Sequence, residues 1–133
     1  MQPDTITLAV DVAHDANPEN QDYRRSDEFL NRSVYIGESH SLSARDTLTL
    51  YRTQAKPTTS FKGVAKTSLK FSEDKLVTAP DGVGQITSPI ICEVSFSLPV
   101  GVTAAAVLEM RQRAVAMLNS DAIMDDLNLL LLV

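Results

Sequence analysis

Three lysines spaced four residues apart, Lys62, Lys66 and Lys70, are the groups best placed for chemistry in this 133-residue chain. Upstream, Thr47, Thr49, Tyr51 and Thr53 recur at every second position. In an extended strand, spacings of two and four put side chains on one face. Ammonium groups aligned in this way attract an anion, hydroxyls hydrogen-bond, and a tyrosine ring offers a stacking surface. That is the chemistry of recognising a polyanion. From Arg45 to Phe71 six basic groups stand against one acid, Asp46, a local charge of +5, while the rest of the chain carries −10. A basic face on an acidic protein suggests an anionic partner, with nucleic acid the leading candidate. The alternative is a solvated strand face whose lysines discourage edge pairing.

A catalytic centre does not assemble from this sequence. The two histidines, His14 and His40, fall in polar segments. Asp125 and Asp126 are adjacent on a helix and diverge by about 100°. With a single cysteine, Cys92, there is neither a disulfide framework nor a cysteine-based zinc site. No catalytic residue, metal or cofactor is expected. Cys92 alternates with apolar residues and is expected to be a small buried thiol. Met1 is followed by Gln-Pro-Asp, unlike a signal peptide, and the longest apolar run, Leu129 to Val133, is too short to span a bilayer. A soluble protein of a reducing compartment is the expectation.

The elements that position these groups follow from periodicity. Thr5–Val12 alternates as a strand, and Ala13–Gln21 is a polar loop. Asp22–Leu30 reads as a short, exposed strand. In Ser33–Ser39, Val34 and Ile36 share one face and Tyr35 takes the other. Two alternating runs within Arg45–Phe71 flank a short polar connection, as in a β-hairpin. Leu48, Leu50, Ala65, Thr67, Leu69 and Phe71 form its apolar side. Thr47, Thr49, Tyr51, Thr53, Lys62, Val64, Lys66, Ser68 and Lys70 form the opposite side. Arg52 has the parity of Leu48 and Leu50 and is left out of the basic face. Ser72–Ser88 is expected to be a long loop with Pro-Asp-Gly and Gly-Val-Gly turns. Pro89–Leu98 is the strongest strand, with Ile90, Cys92, Val94, Phe96 and Leu98 towards the core and Ile91, Glu93, Ser95 and Ser97 away from it.

Thr103 is an N-cap for an amphipathic helix over Ala104–Asn119. Val107, Leu108, Ala114, Val115 and Leu118 line its stripe, with Arg111 near the middle, to snorkel or to pair across an interface. Ser120 or Asp121 caps a second helix that runs to about Leu131. Its tail, Leu127 to Val133, is apolar except for Asn128. Length predicts one domain over 1–133, with the sheet in 1–101 and two helices in 102–133. The class is α+β: about five to six antiparallel strands, then two helices on one sheet face. Two short helices with broad stripes fit a dimer that exchanges them over a joint sheet. Val107, Leu108, Arg111, Val115, Leu118, Leu127 and Leu130 are the expected interface. The opposite sheet face, with the lysines, stays open.

The order of these parts resembles the coat proteins of single-stranded RNA bacteriophages, the levivirus group. Leu48–Thr53 (LTLYRT), Lys62–Phe71 (KGVAKTSLKF) and Glu93–Thr103 (EVSFSLPVGVT) carry the resemblance. It implies an interlocked homodimer with a continuous antiparallel sheet, assembled in the bacterial cytoplasm into an icosahedral virion shell. It also implies a genomic RNA stem-loop on the inner face, bound to package the genome and repress replicase translation. Carried over by position, the RNA-facing residues are Thr47, Thr49, Tyr51, Thr53, Lys62, Lys66, Ser68, Lys70, Glu93 and Ser95, with Val64 and Ile91 between them. The lysines would meet phosphates and Tyr51 an unpaired base, while Glu93 would need a lysine beside it. The long loop would adapt to the symmetry axes. A dimeric cellular RNA-binding module that forms no shell shares the fold argument.

Overall fold

Alternating apolar and polar residues make one antiparallel sheet of the chain as far as Pro99. The computed structural model describes residues 2–129. Its strands lie side by side in chain order: β1 (Thr5–Val10), β2 (Glu19–Phe29), β3 (Arg32–Gly37), β4 (Asp46–Thr53), β5 (Val64–Thr78) and β6 (Gln85–Pro99). The helices α1 (Ala104–Leu118) and α2 (Asp121–Asn128) follow. The α+β order expected from the sequence is therefore observed. Among the described residues no helix is long and apolar enough to cross a membrane.

The core lies on one face of the sheet. Tyr23, Tyr35 and Leu48 are buried, and Ile6, Leu8, Leu50, Leu69 and Phe71 pack against them. Tyr35 is fully enclosed, and its hydroxyl donates to the Pro3 carbonyl at 2.6 Å. That bond satisfies a polar tip which burial would otherwise penalise. Tyr23 meets Phe71 edge to face, with centroids 6.0 Å apart. Burial, with the Asp46 and Glu73 charges adding to it, pushes the Tyr23 phenol above its ordinary pKa. Arg25 pairs with Asp4 and, at 3.3 Å, with Glu28, tying the N-terminal segment to β2.

Several sequence expectations change. The second strand is exposed over most of its length, as expected, but it is longer, with 11 residues, and it supplies Tyr23 to the core. A register shift between Arg25 and Asp27 marks a bulge in it. In β3 the buried side belongs to Tyr35, paired with Leu48, while Val34 and Ile36 share the face of Thr49 and Thr47. Ser72–Ser88 is not a long loop. β5 and β6 pair rung by rung from Val64↔Pro99 to Thr78↔Gln85. Only the tip, residues 79–84, is turn, and there Gly82 takes a positive φ of 77°. Lys62 lies outside β5. Gly63, at φ 92°, interrupts the extended backbone, and its carbonyl accepts from Val100 N at 3.1 Å. Strand parity therefore does not reach Lys62, and the connection after β4 spans residues 54–63. Cys92 sits on the apolar side as expected but is exposed, because nothing among the described residues covers that part of β6.

The cap expected at Thr103 is present: its hydroxyl accepts from Ala106 N at 3.2 Å. Neither helix buries a single residue. Val107 is half-buried, whereas Leu108, Arg111, Val115, Leu118 and Leu127 are exposed; Leu130 lies outside the described residues. This 14.5 kDa chain exposes 10221 Å². A globular monomer of that mass exposes about 6900 Å².

Candidate nucleic-acid interface

The face opposite the core is built by strand register. Thr47, Thr49, Tyr51 and Thr53 are opposed on β5 by Ser72, Lys70, Ser68 and Lys66. Those four are opposed on β6 by Ile91, Glu93, Ser95 and Ser97. Directly opposed side chains on an antiparallel ladder stand about 5 Å apart. The result is a grid of hydroxyls, two ammonium groups and one phenol on a flat surface. All the expected contact residues except Lys62 meet on it.

Hydrogen bonding leaves the grid available. Among the described residues, no side-chain hydrogen bond uses Thr47, Thr49, Tyr51, Thr53, Ser68 or Ser95. Hydroxyls of this kind present both a donor and an acceptor to a ligand. Lys70 faces Glu93 across the ladder, the neighbour that this acid needed. Lys66 faces Ser97 and has no acid in its row. Arg52 donates to the Leu30 carbonyl through Nη2 at 2.9 Å and Nε at 3.3 Å, so it braces the neighbouring turn. Its exclusion from the basic face agrees with that position.

Two cations on this face were not anticipated. Arg24 is paired with Ile36 and Arg32 with Tyr51, which places both on the open side. The signal was parity in β2 and β3, hidden because the bulge at Ser26 and the burial of Tyr35 obscure which side is core.

Chemically, this surface can bind and orient but holds no nucleophile with a base. His14 bonds Asp121 at the edge of the molecule, and His40 Nδ1 accepts from Asp46 N at 3.2 Å. Among the described residues no three His, Cys, Asp or Glu side chains converge as metal ligands.

The chain is a meandering antiparallel sheet with one polar, open face and a C-terminal helical arm, and solved structures share that architecture. The chain superposes on the virus-like particle protein of bacteriophage AVE019 with a TM-score of 0.74, at 17% identity, over 96% of this chain and 95% of that one. The virus-like particle of bacteriophage ESE058 gives 0.71 at 16% identity over 98% and 97%. The virus-like particle of Beihai levi-like virus 32 gives 0.69 at 18% identity over 80% and 82%. The chain has the fold of levi-like bacteriophage coat proteins, and its resemblance to them extends to nearly its whole length. No protein-family model and no curated protein sequence matches it.

Proposed function

We propose that the chain is a coat protein that dimerises and assembles into a closed shell, with its open sheet face inward against RNA. The observation that carries this reading is the fold match over 96% of the chain to a protein of a phage virus-like particle. The surface excess supports it. A monomer exposing 10221 Å² holds far more uncovered surface than its mass requires. The excess is about 3300 Å² per chain, and two chains together reach the large end of obligate interfaces, which run to about 5000 Å² and beyond. In the dimer the arm of each copy covers the apolar side of the other's sheet, hiding Ile90 and Cys92. Edge strand β6, 15 residues long with its outer backbone groups unpaired, meets its own copy.

The finer reading concerns the ligand. Lys66, Lys70, Tyr51 and the hydroxyl grid take an RNA stem-loop. Binding there selects the genome for packaging and represses translation of the replicase. Negative-stain microscopy of the purified protein tests the shell: uniform particles are expected, and dimers alone under every condition would refute it. Sequencing RNA recovered from the particles tests the ligand. Enrichment of one hairpin is expected, and host RNA in proportion to its abundance counts against specific recognition.

A further inference from the structure

Phe29, Arg32, Tyr51, Ser68 and Ser95 are successive register partners across β2, β3, β4, β5 and β6. They form one straight row on the open face, about 19 Å long at ordinary strand spacing. The Arg32 guanidinium carbon lies 4.5 Å from the centre of the Phe29 ring. Tyr51 is the register partner of Arg32 on the next strand, so the stacked Phe29–Arg32 pair and the phenol belong to one row. Phe29 is 52% exposed, which a core residue would not be. Closing the tight turn at Leu30 and Asn31 accounts for the Phe29–Arg32 contact alone. It does not account for the row continuing into a phenol and two hydroxyls.

Charge singles out this end of the face. The row carries Arg32 and no acid, and the next row, Thr53–Lys66–Ser97, carries Lys66 and no acid. The row on the other side contains Asp27, Val34, Thr49, Lys70 and Glu93, so its lysine has one carboxylate directly opposite and a second three strands away. A polyanion is drawn to the Arg32–Lys66 end.

We propose that Phe29, Arg32 and Tyr51 form a shelf on which an unpaired base of single-stranded RNA stacks, with Lys66 in the next row holding its phosphate. The proposal rests on the RNA-binding reading of the open face and adds the site and the mode of contact. Aromatic rings and guanidinium planes are the surfaces on which splayed bases stack. A guanidinium already held over a ring loses less freedom when a base arrives.

The probes are a short oligoadenylate and an RNA duplex of equal length, titrated against the full chain. Phe29→Leu and Arg32→Lys are each expected to bind oligoadenylate about tenfold more weakly, with an unchanged salt dependence and unchanged duplex affinity. Phe29→Tyr, which keeps the ring, should bind as the wild type does. Wild-type affinity for oligoadenylate in both Phe29→Leu and Arg32→Lys, with loss in Lys66→Ala, overturns the shelf and leaves the RNA face standing. No loss in Lys66→Ala either removes the RNA reading with it. Equal losses on oligoadenylate and duplex also overturn the shelf, because stacking acts on the unpaired base alone.

Discussion

Lys66 and Lys70 share a face but not an environment. Lys70 stands opposite Glu93, whereas Lys66 stands opposite Ser97. A lysine already offset by a carboxylate releases less counterion when it meets a phosphate. Lys66→Ala is therefore expected to weaken RNA binding and to lower the salt slope by about 0.7 for a single strand, and Lys70→Ala to lower it less. Titrations at several salt concentrations decide this; equal slopes for both variants and the wild type remove the phosphate contacts. His14 is a second residue whose surroundings set its behaviour. Its Nδ1 lies 2.6 Å from Asp121 Oδ1. That hydrogen bond and the Asp121 charge raise the imidazole pKa against desolvation, with Asp11 and the Asn119 side chain adding to the rise. A raised pKa in the folded state makes the bond's contribution complete below the ordinary histidine value. It is lost as pH climbs through the raised one. Asp121→Asn should bring the His14 midpoint back towards the ordinary value, as read from the ring-proton shift by NMR. An unmoved midpoint excludes the pair. Nothing in the sequence pointed to this contact, which joins positions 107 residues apart.

The elements were legible wherever one side of a strand meets a core. Thr47–Thr53, Lys66–Lys70 and Ile90–Leu98 keep strict parity because burial of Leu48 and partial burial of Leu69 and Phe96 fix the register. Thr103 was legible because capping is local chemistry. The outer half of the β5–β6 hairpin was not. Beyond Asp74↔Pro89 that ribbon has water on both faces, so no apolar alternation is needed, and backbone bonds hold it whatever the side chains are. Lys75 to Thr78 and Gln85 to Ser88 therefore looked like loop. Lys62 failed for the opposite reason: its sequence parity is sound, but Gly63 turns the chain before the strand begins. At the ribbon's tip Asp81 Oδ1 accepts from Val83 N at 3.0 Å and Gly84 N at 3.2 Å, and these bonds hold its carboxyl below the usual carboxylate range. Asp81→Ala should speed amide exchange at Val83 and Gly84 while leaving the midpoint of global unfolding unchanged. Unchanged exchange at those two amides would show that the turn holds itself.

At the scale of the whole molecule, the sheet and the arm do not complete each other within one chain. Among the described residues only three apolar side chains are buried, although 44% of the chain is hydrophobic. An isolated helix of 15 residues is marginal in water, and α1 buries nothing, so packing from elsewhere must hold it. The apolar side of β6 is uncovered in the same way, with Ile90 60% exposed. Each deficit has the chemistry of the other's remedy, and in the proposed dimer a second copy supplies both. A charge placed on the arm then distinguishes contacts within a chain from contacts between chains. Val115 is 52% exposed in the single chain, so Val115→Asp removes little packing there. In a dimer it forces a carboxylate into an apolar seam, at a cost of several kcal/mol. Light scattering should find dimers in the wild type and none in Val115→Asp, and microscopy should find no shells of the variant. Glu109→Gln is the matching control. It breaks only the exposed 2.7 Å pair with Arg113 one helical turn away, and such pairs are worth about 0.3–0.5 kcal/mol. Shells and dimers should survive it. If Val115→Asp dimerises like the wild type, the arm does not lie in the interface, and the excess surface must be covered at the sheet edge instead.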